Sequence, residues 1–450
     1  MVGAEGGTFF RMDPKIGAAM ADLLELSARI VDSGTADEPV NRVTQELSEL
    51  ADGIAVVESF SHVVAFRTGD GLVLFDSSGV ATGAAVVEAL RGWSADPVRT
   101  LVYTHGHLDH VGGSAAFVAD AERRGHARPV FVAQEQVRDR LARYRLTEGW
   151  NAAINARQFG WLRSSALGIG AERGRFLPDD VAEPDVTYRD TQRLEVGGTA
   201  FELHHGRGET DDHTWTWVPS ARAVCCGDFL IWNFPNAGNP QKVQRYPREW
   251  AAALKEMAAM EPELLLPAHG LPLAGAERIR RVLLDVAGAL DDLVDRTLEM
   301  MNAGATLDET VQQVSVPAET LARPYLRPLY DEPEFVVRNI WRLYGGWWDA
   351  NPARLKPPPD RALASEVAAL AGSADVLARR ADELAAAGDL RLAAQLAEWA
   401  VQADPDSRSA HEIRARVYEA RKAAESSLMA KGIFAGAARE SRSRLGPASA

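Results

Sequence analysis

Cysteine is nearly absent from this 450-residue chain: there are two, adjacent at Cys225 and Cys226. That excludes a disulfide framework. No run of 18 or more apolar residues occurs, so no membrane span is expected. The opening stretch, MVGAEGGTFFRMDPK, lacks a basic region followed by an apolar one, so no secretory leader is expected and the default location is cytoplasmic. Basic residues are outnumbered, with 49 Lys+Arg against 63 Asp+Glu and a formal net charge of −14. Phosphate binding needs concentrated positive charge, so nucleic acid is not an expected partner. An anionic small molecule would have to be met by metals or by a few local cations. What is present is ordinary: 46% apolar and 25% charged residues exclude wholesale disorder. The length suggests about three domains at roughly 150 residues each.

Residues Pro14 to Gly53 read as helical, with Ala19, Met20, Leu23, Leu24, Ile30 and Val31 at helix spacing. Short strands are expected at Ile54–Val57, Val63–Phe66 and Leu72–Phe75, then a helix at Ala84–Trp93 and a strand at Thr100–Tyr103. A second cycle supplies strands at Val130–Val132, Ala200–His204, Trp215–Val218, Ala223–Cys226 and Leu264–Leu266. Interleaved strands and helices over roughly residues 50–290 argue a layered α/β fold. The connection from Gln134 to Pro184, with Trp150, Phe159 and Trp161, is a candidate lid or pocket wall. Helices dominate afterwards, at Arg280–Met301 and Glu334–Tyr344. Leu355–Arg361 (LKPPPDR) reads as a stiff linker. Beyond it, Ala-rich helices are expected at Ser373–Ala387, Leu390–Ala403 and Ser407–Glu425, in a tetratricopeptide-like rhythm of about one and a half units. The final ESRSRLGPASA reads as frayed. The expected domains are an N-terminal helical extension (1–50), a catalytic domain (51–290), a helical connector with the Pro-rich linker (291–360) and an α-helical dimerisation domain (361–445).

The strongest chemical signal is Thr104-His105-Gly106-His107-Leu108-Asp109-His110, directly after the apolar Leu101-Val102-Tyr103. His105 and His107 are two apart, so in extended chain they point the same way. Asp109 and His110 come as the chain turns toward a helix and can face a second ion. Imidazole and carboxylate suit zinc, and hydrolytic two-metal sites hold their ions about 3.5–4 Å apart. Three of only 10 histidines fall in this heptapeptide. A surface His cluster would have to produce that spacing by chance.

These residues resemble the HxHxDH signature of the metallo-β-lactamase superfamily, followed here by Gly112-Gly113. The resemblance spans roughly residues 50–290 and implies an αβ/βα four-layer sandwich followed by an all-α, tetratricopeptide-like helical domain. It also implies further ligands. Gly227-Asp228 matches the bridging Asp, and Pro267-Ala268-His269-Gly270 matches the last His. Where a GHT-like turn is usual, the chain reads Gly208-Glu209-Thr210. Glu209 at that place is a feature of the alkyl sulfatases within the superfamily; His204, His205 and His213 are the neighbouring alternatives. Tyr344–Pro352 (YGGWWDANP) and the Ala-rich helices after it are similar to the same family, including its dimerisation domain.

The resemblance therefore implies an enzyme: a binuclear hydrolase cleaving alkyl sulfate esters, with two Zn2+ per chain and a metal-bridging hydroxide. Its metal ligands would be His105, His107, Asp109, His110, Glu209, Asp228 and His269, with Asp109 and Asp228 also catalytic. A homodimer is expected. Asn233, Asn236, Asn239, Lys242 and Arg245 follow the bridging Asp and are the candidate anion-binding groups. Trp232, Phe234 and the 134–184 segment are expected to form an apolar chute for the alcohol. The rival readings are another ester class on the same site (phosphoester, lactone or thioester) and a non-catalytic scaffold.

Overall fold

The computed structural model describes residues 23–159 and 175–446. Its strands are β1 (Leu47–Ala51), β2 (Ile54–Val57), β3 (Val63–Thr68), β4 (Gly71–Phe75), β5 (Val98–Val102), β6 (Val130–Gln134), β7 (Val186–Tyr188), β8 (Thr191–Val196), β9 (Thr199–His205), β10 (Thr214–Val218), β11 (Ala223–Gly227), β12 (Leu264–Pro267) and β13 (Leu273–Ala274). They form a seven-stranded sheet in the order β1 to β7 and a six-stranded sheet in the order β13-β12-β11-β10-β9-β8. In the first, β4, β5, β6 and β7 run parallel. In the second, β11 and β12 are parallel.

The first sheet is buried on both faces, and its side chains divide at a period of two. Val64, Phe66, Val73 and Phe75 face the second sheet and pack with Phe201, Leu203 and Trp215. Val63, Ala65, Leu72 and Leu74 face the other way, against Val86, Leu90 and Phe117 of helices Gly83–Trp93 and Ser114–Arg124. On the outside of the second sheet, Trp250, Leu254 and Met257 of helix Pro247–Ala259 join Ile279, Val282 and Val286 of helix Ala276–Asn302. The result is helix, sheet, sheet, helix: the four-layer α/β sandwich expected from the sequence.

The expected strands all fall on observed ones, but the helix expected up to Gly53 does not hold. Among the described residues of that stretch, helix covers only Leu23–Ser33. Leu47–Ala51 is instead a strand paired antiparallel with β2, turned at Asp52-Gly53, where Gly53 takes φ +71°. Leu47 and Leu50, three apart, imitate helix spacing while lying on an edge strand. Ala19 and Met20 lie outside the described residues. The segment expected as a lid starts with two helices, Gln136–Leu146 and Glu148–Gln158. Trp161 lies outside the described residues.

A second compact unit comprises, among the described residues, 153–159, 306–309 and 345–446. The three expected helices are present at Ala374–Ala386, Leu390–Ala403 and Arg408–Ala424. Besides the one-turn helix Pro352–Leu355, two longer ones were not expected. Asp360–Ala371 begins inside the Pro-rich stretch, where Pro359 precedes the first turn, and Leu428–Leu445 carries helix through most of the tail expected to fray. The tail is ordered by packing: Ser441 is fully buried, and its Oγ meets Arg414 Nη1 at 3.0 Å and His411 Nδ1 at 3.1 Å. Ala378, Ala381, Ala393, Ala397 and Ala400 are all fully buried, small side chains that let helices approach closely. Ser373, Asp389, Ser407 and Ser427 each accept a backbone N–H as helix N-caps.

Candidate metal centre

Parallel strands end on the same edge, and the chemistry gathers there. The chain leaves β5 into His105–His110, beside the end of its neighbour β4, which leads to Asp76. It leaves β11 into Asp228, beside the end of its neighbour β12, which leads to His269. Asp76 takes φ +63° and turns back across the edge. Its carboxylate accepts from Thr104 N at 2.7 Å, from Thr104 Oγ1 at 2.8 Å and from His110 Nδ1 at 2.7 Å. Asp212 Oδ2 accepts from Gly106 N at 3.2 Å and from the buried Arg140 Nε at 2.6 Å. These two carboxylates hold the histidine loop.

The residues expected as ligands come together in two groups. His105, His107, Glu209 and Asp228 offer donor atoms within 4.8 Å of one another, and so do Asp109, His110 and His269. His105 Nε2 and His107 Nδ1 are 2.8 Å apart, and His107 Nδ1 is 3.7 Å from Glu209 Oε1. Asp228 Oδ2 lies 3.9 Å from His105 Nε2, 3.5 Å from His110 Nε2 and 3.5 Å from His269 Nε2. Asp109 Oδ2 lies 3.3 Å from His269 Nε2.

This set fits divalent ions. A tetrahedral zinc with donors at about 2.0–2.1 Å separates them by about 3.3 Å, and the donor pairs here lie 2.8–3.9 Å apart, on both sides of that value. His110 Nε2 and Asp228 Oδ1 are buried with no hydrogen-bond partner, although buried polar atoms are normally satisfied. Burial, joined by neighbouring positive charge, holds His105 and His107 well below the usual imidazole range, so their lone pairs are free for a ligand. Burial acts against charge at His110 and Asp228 too, but each is overridden. Asp228, Asp76 and Asp109 raise His110, while His269 and His110 lower Asp228.

Glu209 stands at the turn, 4% exposed, and burial pushes it up to about 7 despite Arg245. Arg245 Nη1 lies 2.8 Å from Glu209 Oε1 and also donates to the Glu209 carbonyl. Asn236 Nδ2 donates to the same Oε1. The alternative histidines are otherwise engaged. His204 stacks on Trp215 at 4.2 Å, His205 Nε2 donates to Asp211 O at 2.8 Å, and His213 Nε2 accepts from Asp228 N at 3.1 Å.

The candidate anion-binding residues divide. Arg245 and Asn236 are on Glu209. Lys242 sits where Asp109 and Glu209 act on its charge, and burial brings it down to about 8. Asn233 turns away, donating to Ile231 O at 3.1 Å, and Asn239 Oδ1 accepts from Gln241 N at 3.2 Å. Trp232 and Phe234 are fully buried core residues rather than a chute, and Trp232 Nε1 donates to Leu271 O at 2.7 Å. Sequence reasoning missed Asp76, Asp212 and Arg140. The one available signal was an Asp immediately after the apolar Leu72–Phe75 strand.

Residues 56–269 match the metallo-beta-lactamase superfamily, and residues 306–444 match alkyl sulfatase dimerisation. A linear primary-alkylsulfatase of Pseudomonas sp. is 29% identical over 78% of this chain and 68% of its own length. An alkyl/aryl-sulfatase of Saccharomyces cerevisiae is 25% identical over 72% of this chain, and the chain spans only 52% of it. The solved stereoselective inverting sec-alkylsulfatase Pisa1 from Pseudomonas sp. shares the fold, with a TM-score of 0.79 and 24% identity over 88% of this chain and 66% of that one. Residues 56–269 thus carry the match, the strand order and the histidine loop of the metallo-β-lactamase superfamily, and residues 306–444 match the alkyl sulfatase dimerisation region.

Proposed function

We propose that this chain is a binuclear metal-dependent hydrolase that cleaves alkyl sulfate esters to an alcohol and inorganic sulfate. The observation that carries the reading is the convergence of seven His, Asp and Glu donors in two adjoining groups, with Glu209 as the donor from the turn. The names of the relatives support the alkyl sulfate class. In this reading His105, His107 and Glu209 hold one zinc, Asp109, His110 and His269 hold the other, and Asp228 is shared. Such ions, when bound, lower the pKa of a bound water and neutralise charge on the ester.

The chain's own groups do the remainder. Asp76 keeps the proton of His110 on Nδ1, which turns the Nε2 lone pair toward Asp109 and Asp228. Arg245 and Asn236 both hold Oε1 of Glu209, the oxygen that lies 3.7 Å from His107 Nδ1. Arg245 also balances the charge of Glu209, so a third carboxylate in the cluster does not repel an anionic ester outright. Lys242 supplies positive field toward the sulfate oxygens.

The region matching alkyl sulfatase dimerisation supports a homodimer, which light scattering coupled to size exclusion tests. Two free, buried cysteines accord with a reducing, cytoplasmic compartment, tested by fractionation. The deciding experiment pairs elemental analysis with a panel of alkyl sulfates, phosphoesters, lactones and thioesters on metal-supplied protein. Two zinc ions per chain and highest kcat/KM on an alkyl sulfate are expected. A phosphoester, lactone or thioester turned over far better than every sulfate would replace this reading with the other ester class.

A further inference from the structure

The turn between β2 and β3, Ser59-Phe60-Ser61-His62, has no donor in either ligand group, yet it touches two residues of the second one. Ser61 Oγ lies 3.1 Å from His110 Nδ1, and the Phe60 ring meets the His269 ring edge-on with centroids 5.6 Å apart. His62 does more. Its backbone N–H donates to Ala268 O at 2.7 Å, and its Nε2 lies 2.9 Å from Gly270 O. The two carbonyls it holds are those immediately before and after His269.

The protonation of this imidazole follows from its partners. A carbonyl only accepts, so Nε2 carries the proton toward Gly270. Nδ1 lies 3.1 Å from both the N and the O of Ser59, and in the neutral ring it accepts from the N–H. The side chain is 3% exposed, and burial is the main reason it stays uncharged. The loop it grips has little room elsewhere. Gly270 takes φ +85°, and a Cβ there would lie 2.4 Å from Trp232 Cδ1. Ala268 N is bound to Gly227 O at 3.0 Å.

We propose that His62 is the positioning residue for His269: its main-chain N–H and its ring N–H clamp the carbonyls of the residues on either side of that ligand and set it toward Asp109 and Asp228. The inference rests on the two-ion reading of the site. His62 acts on one of the two ligand groups, so its loss acts on one of the two ions. Partners that orient metal-bound histidines change metal affinity by about 10–100-fold when removed.

Two substitutions separate the clamp from mere bulk. His62→Asn keeps an acceptor for Ser59 N–H but cannot reach Gly270 O. His62→Gln keeps a donor near the position of Nε2. Zinc binding to the full-length protein is measured by competition with a chromophoric chelator, with circular dichroism of the metal-free protein alongside. Wild type is expected to bind two ions. H62N is expected to hold the first as wild type does and to bind the second at least about 10-fold more weakly, with H62Q within about threefold of wild type. Wild-type affinity for both ions in H62N overturns the proposal. So do equal losses in H62N and H62Q, or failure of both to fold, since either assigns His62 to packing. A wild type with no second ion overturns the two-ion reading itself, before any variant is compared.

Discussion

Asp76 Oδ2 lies 2.7 Å from His110 Nδ1, and the same oxygen takes the hydroxyl of Thr104 at 2.8 Å, just before the histidine loop begins. One carboxylate at the end of β4 thus ties the start of that loop to its last ligand. Asp76→Asn keeps the size but offers a single acceptor oxygen to three donors. It is expected to weaken zinc binding by about 10–100-fold, mainly at the ion held by His110. Chelator competition at neutral pH checks this, and unchanged affinity would remove Asp76 from the metal centre.

Glu209 and Arg245 form a buried pair, 4% and 2% exposed. Removing one partner of such a pair strands a charge and costs about 3–5 kcal/mol. Glu209→Ala and Arg245→Met are each expected to lower the stability of the chelator-treated protein by that order. The double variant should lose less than the sum of the two, because neither charge is left alone. Urea unfolding of all four proteins gives the coupling, and strict additivity would show that the pair is not a stability element.

The histidine loop was legible because four of its donors lie within six positions of one sequence. Glu209, Asp228 and His269 were legible only through the resemblance, since strand pairing brings them in from far along the chain. Asp76 and Asp212 were not legible. They act on His110 and Gly106 across 34 and 106 residues, and the one local mark is that Asp76 directly follows an apolar strand. The aromatics after Asp228 misled for a physical reason. Trp232 reads as a polar-tipped pocket residue, but a single bond to Leu271 O satisfies its N–H and lets the whole side chain enter the core. Leu47–Ala51 misled because an edge strand with two leucines three apart carries no clear period of two.

Lys242 links pH to substrate binding. Burial first, and Arg245 second, bring its ammonium down to about 8. Below that pH the group is charged and attracts an anionic ester; above it the charge is lost. Bound ions would lower this ammonium further, so KM for an alkyl sulfate is expected to rise as pH climbs through a value at or below about 8. Lys242→Arg, which stays charged, should flatten that rise, and Lys242→Met should raise KM at lower pH and converge with wild type once the lysine is neutral. Steady-state kinetics across this range decide it, and a wild-type KM indifferent to pH would take Lys242 out of the site.

Removing the metals should expose the strain of packing these donors together. In the metal-free protein Glu209 is raised to about 7, and His110 and His269 are raised above the usual imidazole value. A group raised on folding contributes stability below its unfolded pKa and loses it as pH rises through the folded one. Asp109 and Asp228 are lowered, so they act only in acid. His62, His105, His107, His204 and His213 are also lowered, and they are largely neutral in both states only above about pH 7, since their unfolded value is about 6.5. Lys242 begins to act in the opposite sense only near 8. Between about pH 7 and 8 the raised groups outweigh the others, and the chelator-treated protein is expected to lose stability as pH rises. Metal binding requires deprotonated ligands, so the zinc-loaded protein should show no such loss, or the reverse. Thermal unfolding with and without chelator over that window measures both slopes. Glu209→Gln should flatten the metal-free slope in part; an unchanged slope would mean that this carboxyl does not carry the raised pKa assigned to it.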